Sequence, residues 1–339
     1  MEVKDDKKEE DSKDKKKESK DLGKHVTKRK IGYWDAKDVL VFAKNDTLRH
    51  NLIEMRDIGE SNLPILGKIV EKCTESAKLN GFDTFAEERL DNYMVKKPAT
   101  VEKFLERVLQ KLQISARKEL DILTKFKRNV TGNATDELGP YDVDYFLRKY
   151  DEEQDNDIDE VEISRYFPLE HVVNTTLDIY QDLLGLKFKK MDCMLWVENT
   201  TCHRVYDSDS DELLGQFYLD TVRRDNKGGG SGAYVSSVFN KYNMNGHSKK
   251  PIAYMMSNFD SDNLLYHSDV STFFHEFGHI MHSILGKSNY TRLSGTAGER
   301  DFVELPSQML ENWTWDKKVL KRMSHHYKTG EQIPDELLE

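Results

Sequence analysis

The sequence predicts a mainly α-helical protein with one small β-sheet set just ahead of a buried helix. Two observations carry this. Apolar residues recur at intervals of three and four over residues 35–129 and again over 169–184, the period of helices with one apolar face. Between 194 and 222 the pattern alternates instead and favours β-branched and aromatic residues, as half-buried strands do.

Residues 1–30 are a mixture of Lys, Asp and Glu with almost no apolar residue. Such a segment cannot offset its own ordering entropy, so a disordered charged leader is expected. A helical region follows over 31–190. Leu63, Leu66, Ile69 and Val70 mark one helix, and Val101, Phe104, Leu105, Val108 and Leu112 another. Pro98 suits a first helical turn and Gly81 punctuates the chain between them. Further helices are expected over 141–150 and 169–184, the second stopped near Gly185. Residues 191–339 form the second region. Strands are expected over 194–206 and 213–222 with a turn at 207–211, and a third over 252–257. The run GGGSG at 228–232 is a loop; it lacks the Gly-Lys-Ser/Thr ending of a phosphate cradle.

At 339 residues, 33% charged and 37% apolar, the chain has room for one large domain or two ordinary ones. No run approaches the roughly 18 apolar residues of a membrane span. A formal net charge of −10, with acids interleaved among the bases, argues against nucleic acid as a principal partner. Cys73, Cys193 and Cys202 are too few for a disulfide framework. Free thiols are expected, a Cys193–Cys202 link being open only if strands bring the two face to face. The N-x-S/T sequons follow no apolar signal segment, and a cytoplasmic protein with unused sequons is expected. A monomer is favoured.

The chemistry is concentrated in 267–285, which contains His275, Glu276, Phe277, Gly278 and His279 in sequence. Residues four apart on a helix lie about 40° apart around the axis and one turn along it, so both imidazoles can reach one metal. Glu276 sits beside that face, where it can hold a water without being a ligand. Phe273, Phe274, Phe277, Ile280, Met281, Ile284 and Leu285 make the helix a buried one. Two histidines and a glutamate there are costly unless something satisfies them, and a metal does. Ordinary core packing of the two histidines is the alternative.

A third ligand is needed. His282 lies about 10 Å along the axis from His275, too far for one tetrahedral ion, and reads as a cleft-lining or satisfied core histidine. The metzincin pattern requires Gly at that position. Past Gly286 a polar loop runs to Gly298, and a second helix is expected to begin with Glu299 and Asp301 in its first turn. Glu304, inside Phe302-Val303-Glu304-Leu305-Pro306, is a carboxylate in an apolar run and is the candidate third ligand. Two His and one Glu leave a position open for water, the catalytic arrangement of zinc.

The block YHSDVSTFFHEFGHIMHSIL, followed by SGTAGERDFVELPSQMLENWTWD, resembles the thimet oligopeptidase/neurolysin family of zinc oligopeptidases. RYFPLEHVVNTTLDIYQDLLGLKF and GQFYLDTVRRD upstream and MSHHYKTGEQIPDELLE downstream extend the likeness over most of the chain. The resemblance implies one zinc ion on His275, His279 and Glu304, and Glu276 as general base. It also implies a multi-helical zincin-type fold with a narrow channel, partly walled by 31–190, that admits short peptides. Departures are Ala297-Gly298 where His-Val is usual, and a histidine missing near 228–233. Members of the family continue past the equivalent of Glu339 and carry further upstream helices, so the chain is expected to be a fragment or shortened form.

The expected chemistry is zinc-assisted hydrolysis of peptide bonds, Glu276 taking a proton from water and returning it to the leaving amine. The alternative is a catalytically inactive zinc- or peptide-binding fragment. The strand at 252–257 is expected to pair with substrate along its edge, near Asn258 and Asp260. Gln308 or Glu311 is expected to orient the imidazoles; Arg300, which matches the family block by position, is expected to form a surface ion pair, a substrate role being the alternative. Residues 151–162 approach a calcium loop but carry Asn156 where Gly is expected, and read as a solvated acidic connection. Trp313 and Trp315 are expected in the core.

Overall fold

The computed structural model describes residues 35–56, 59–154, 160–224, 227, 232–259 and 263–338. The expected leader, residues 228–231 of the Gly-rich loop and 155–159 of the acidic connection lie outside this set. The chain divides into two compact units, Met1–Lys68 with Arg107–Asp157, and Ile69–Glu106 with Ile158–Glu339.

The helices preceding the sheet are α1 (Asp35–Phe42), α2 (Asp46–Arg56), α3 (Leu63–Leu79), α4 (Phe85–Leu90), α5 (Pro98–Thr131), α6 (Val143–Glu153), α7 (Glu160–Ser164) and α8 (Leu169–Leu184). α5 starts at Pro98, whose fixed φ and missing N–H suit a first turn. α8 stops at Gly185, which takes φ 64°, a left-handed conformation that glycine adopts without steric cost. The predicted apolar stripes form helices but do not all find cover. Leu63, Leu66, Ile69 and Val70 on α3, and Phe104, Leu105 and Leu112 on α5, are exposed.

In the first unit Leu40 and Leu52 form one apolar cluster, and Phe126, Tyr145 and Phe146 another. Beside them the Arg49 guanidinium meets Asp142 at 2.7 Å, both side chains buried, and Lys127 reaches the other Asp142 oxygen at 2.7 Å.

The second unit carries the sheet: β1 (Leu186–Lys190), β2 (Thr201–Asp207), β3 (Leu213–Val222), β4 (Ala233–Phe239) and β7 (Ile252–Phe259), with a separate hairpin of β5 (Tyr242–Met244) and β6 (His247–Lys249). Strand order is β1-β2-β3-β7-β4; only the β3–β7 pair is parallel. Sequence alternation identifies β3 and β7, whereas residues 194–200 are not strand. The expected free edge also differs. β7 has a partner on each side, and the strand at that end of the sheet is β4.

The thiols differ as well. Cys193 and Cys202 are joined, because the Met191 N–H donates to the Cys202 carbonyl at 2.8 Å and brings the chain after β1 back beside β2. Cys73 is free. Where β3 ends, buried Asp220 accepts from Arg224, Lys227 and the Trp196 indole. Burial alone would raise its pKa, but these donors hold it at about 2.

The remaining helices are α9 (His267–Leu285), α10 (Leu305–Glu311) and α11 (Lys317–Met323). α9 has the predicted bounds and lies on the sheet. Phe273, Phe274, Phe277 and Ile280 are fully buried against Phe217, Leu219, Ala253 and Met255. Burying each phenyl contributes about 1.5–3 kcal/mol. The Phe277 ring meets Phe217 and Tyr180 edge-on at 5.3 and 4.8 Å, and the Tyr180 hydroxyl donates to the Phe274 carbonyl at 2.8 Å. The polar face of α9 is thereby turned away from the sheet. No helix among the described residues is long and apolar enough to cross a membrane.

Candidate metal centre

The face of α9 opposite the phenyl rings carries His275 and His279, one turn apart, with ring centroids separated by 4.9 Å. α10 crosses the same helix and sets Glu304 at its N-cap. Close approach of the two helices is possible because position 278 is glycine. A Cβ there would stand 3.0 Å from the Ser307 Cα.

Glu304 Oε2 lies 3.2 Å from His275 Nε2 and 3.0 Å from His279 Nε2. Ligand atoms of the three residues all fall within 4.8 Å of one another. Ligands about 2.0–2.1 Å from one tetrahedral ion are separated by about 3.3 Å, so this donor set fits a divalent metal with little movement. The charge states fit too. Burial holds His279 below the ordinary imidazole range despite the nearby Glu304 carboxylate. Burial would raise Glu304, but the Ser307 hydroxyl and the two imidazoles bring it below its ordinary value. A metal takes neutral imidazole and ionised carboxylate, and the shifts of His279 and Glu304 both run in that direction.

The His275 ring is oriented from behind. Its Nδ1 lies 2.9 Å from Glu311 Oε2, and Ser271 Oγ donates to the other Glu311 oxygen at 3.3 Å. Of the two orienting residues expected, Glu311 takes this position and Gln308 is exposed. His279 has no equivalent; its Nδ1 is buried without a protein partner among the described residues. Glu276 faces the same cleft as His275. Burial raises its pKa, His275 opposes this, Glu304 adds to it, and a backbone bond from Val235 on β4 lowers it. The cleft has a volume of about 590 Å³ and extends along α9 past Thr272 to His267 and Trp315.

The sequence profile of Peptidase family M3 matches residues 43–339. The chain belongs to that family. It is 35% identical to the "Thimet-like oligopeptidase" of Dictyostelium discoideum, over 83% of this chain and 44% of that protein. With "Oligopeptidase A" of Salmonella typhimurium the identity is 34%, over 89% of this chain and 46% of the relative. With "Saccharolysin" of Saccharomyces cerevisiae it is 33%, over 95% and 48%. The chain thus spans less than half the length of these relatives.

Several expectations for this M3 chain change on the structure. Glu299 and Asp301 are not in a first helical turn, because α10 begins only at Leu305. The backbone turns twice between Glu299 and Leu305 instead, and Asp301 faces the segment before α5. His282 is half-buried, and its Nδ1 is buried without a protein partner among the described residues, so it is not a satisfied core histidine. Trp313 and Trp315 are 40% and 69% exposed, so they are not core. The short turn that carries them points the rings outward, and Trp315 packs edge-on against His267 at 4.5 Å. Arg300 is exposed beside Arg89 and Tyr93. The Val235 and Ser307 contributions lie outside the sequence expectations. Ser307, three residues after an N-cap glutamate, had a local spacing signal; Val235 had none, since only strand pairing brings it to α9.

Proposed function

We propose that this chain carries the metal centre of a zinc-dependent metalloendopeptidase that hydrolyses peptide bonds in short peptides. The observation that supports the reading most is the meeting of His275, His279 and Glu304 donor atoms within 4.8 Å, beside a half-buried Glu276 that is not among them. His275 and His279 would hold the ion through Nε2 and Glu304 through Oε2. The mixed nitrogen and oxygen set suits zinc, and three protein donors leave a coordination position open. When bound, the ion supplies Lewis acidity to a scissile carbonyl and to a water.

The residues do the rest. Glu276 accepts the water proton on its carboxylate and later gives it to the leaving nitrogen. Its raised pKa favours this exchange, because an acid too weakly basic would not take the proton at neutral pH. Glu311 fixes the His275 ring so that Nε2 faces the ion. β4 ends the sheet beside α9, and its outer edge is the sheet edge nearest Glu276, which Val235 already contacts, so an extended peptide backbone would pair there.

The second reading, a zinc- or peptide-binding chain without turnover, is favoured by one observation: less than half of each relative is spanned. Zinc content measured together with cleavage of a quenched fluorescent peptide separates the two. Hydrolysis by the chain, abolished in Glu276→Gln with about one zinc per chain retained, is the outcome expected of the first. Zinc without hydrolysis in either protein selects the second. Turnover retained by Glu276→Gln would remove Glu276 from its role.

A further inference from the structure

We propose that Asp301 is a positioning residue for Glu304, holding the loop that delivers the third ligand by gripping the turn ahead of α5. The inference rests on the reading of His275, His279 and Glu304 as metal ligands.

The contact is a paired one. Asp301 Oδ1 accepts the Met94 N–H at 2.9 Å and Oδ2 accepts the Val95 N–H at 3.1 Å. Two successive backbone donors reach one carboxylate only where the chain is bent to present both on one side. That bend is present: Lys96 takes φ 56°, and the Lys97 N–H donates to the Val95 carbonyl at 2.6 Å. This i to i+2 bond closes a tight three-residue turn around Lys96, directly after the two donors. A lysine in the left-handed region costs roughly 1 kcal/mol, so the bend needs a partner, and the carboxylate supplies it.

Little slack separates this grip from the ligand. Phe302 and Val303 N–H groups both donate to the Glu299 carbonyl, at 3.0 and 3.2 Å, and the Leu305 N–H donates to the Phe302 carbonyl at 2.9 Å. Asp301 and Glu304 are therefore carried by one continuously bonded double turn.

Glu304 has need of such support. Its side chain is half-exposed, and α10, which it caps, has only seven residues. Downstream, the packing of Ser307 on Gly278 and the bond from the Ser307 hydroxyl fix it. Upstream, the Asp301 grip is the long-range hydrogen bonding closest to Glu304 among the described residues; the loop's other such bonds, from Asn243 to Asn289 and from Asn240 to Thr291, lie more than ten residues before it. A ligand must be held within about 0.5 Å of its productive position, and a single short helix allows more play than that.

The test is zinc affinity of the full chain by competition with a chromogenic chelator, for the parent protein and for His279→Ala, Asp301→Ala, Asp301→Asn and Glu299→Ala. Unfolding in chelator is followed alongside. Loss of high-affinity zinc in His279→Ala keeps the underlying metal reading; affinity equal to the parent's there defeats that reading itself. Given the loss, Asp301→Ala is expected to weaken zinc about tenfold, the lower end of the effect of residues that orient a ligand. Asp301→Asn, which keeps one acceptor oxygen, should fall between. Glu299→Ala removes an equal charge from the same turn and should bind as the parent does. Parent affinity in both Asp301 variants overturns the proposal, and so does an equal loss in Glu299→Ala, which would make the effect one of charge alone. Should Asp301→Ala unfold in chelator, the affinity of Asp301→Asn decides.

Discussion

Gly278 approaches Ser307 so closely that a β-carbon on the glycine would lie 3.0 Å from the Ser307 Cα and 3.4 Å from the Tyr180 hydroxyl. Backbone cannot move aside as a flexible side chain can, so the smallest added group must part the two helices. Gly278→Ala is expected to cost about 2–3 kcal/mol of unfolding free energy through overpacking. That loss outweighs the gain of about 1 kcal/mol in helix propensity. Urea titration of the metal-free protein measures the first effect, and chelator competition should show weaker zinc. Unchanged stability would mean that α10 is not held against α9 as described.

Glu311 and His275 offer a second prediction. Removing the acceptor 2.9 Å from Nδ1 frees the ring to rotate and to change tautomer. Glu311→Ala is expected to weaken zinc roughly 10–100-fold, and Glu311→Gln less, since an amide oxygen can still accept the N–H. Equal affinities in all three proteins would deny Glu311 this role.

His203 should make stability depend on pH. Burial, aided by the nearby Lys190 charge, holds its pKa at about 4, while the unfolded value is about 6.5. Between these values the unfolded chain binds a proton that the fold excludes, so stability rises with pH across that window. His203 stacks on Phe217 at 4.9 Å, and His203→Phe can retain the stacking without the proton. Comparing unfolding free energies at several pH values between 4 and 7 should show a flatter profile for the variant by about one proton. Parallel profiles would exclude His203 as the source.

The first unit can be tested by itself through Asp142. Its carboxylate neutralises the buried Arg49 and also accepts from Lys127 and the Gly139 N–H. Asp142→Asn keeps the shape but leaves Arg49 uncompensated, for a loss of about 3–5 kcal/mol. Limited proteolysis should show earlier cleavage within residues 107–157.

Sequence periodicity found α9 to the residue because every signal agreed there: an apolar stripe, histidines at helical spacing and a terminal glycine. The candidate ligand Glu304 is legible for a different reason, a charge inside an apolar run. Its helix was not. Glu299 and Asp301 look like first-turn acids, yet the second of them is used by a turn about two hundred residues earlier, and local sequence cannot report such a partner. The same limit explains the sheet. β7 reads as a strand, but that β4 covers its flank depends on pairing Ala233 with Ser257, which no pattern within either strand specifies. The joining of Cys193 to Cys202 likewise follows from the backbone bond at Met191. Trp313 and Trp315 were misplaced because apolar neighbours such as Leu310 are buried, while the short turn that follows faces the other way.

His275 and His279 ride on one long helix pinned to the sheet, whereas Glu304 arrives on a short one from beyond Gly286. An ion held by all three would be gripped by a pair on one long helix and a third arm on a short one. Its residence time would follow how often that arm lifts, since two donors hold a metal less tightly than three. Exchange kinetics, more than equilibrium occupancy, would then report the mechanical state of the loop between the two helices.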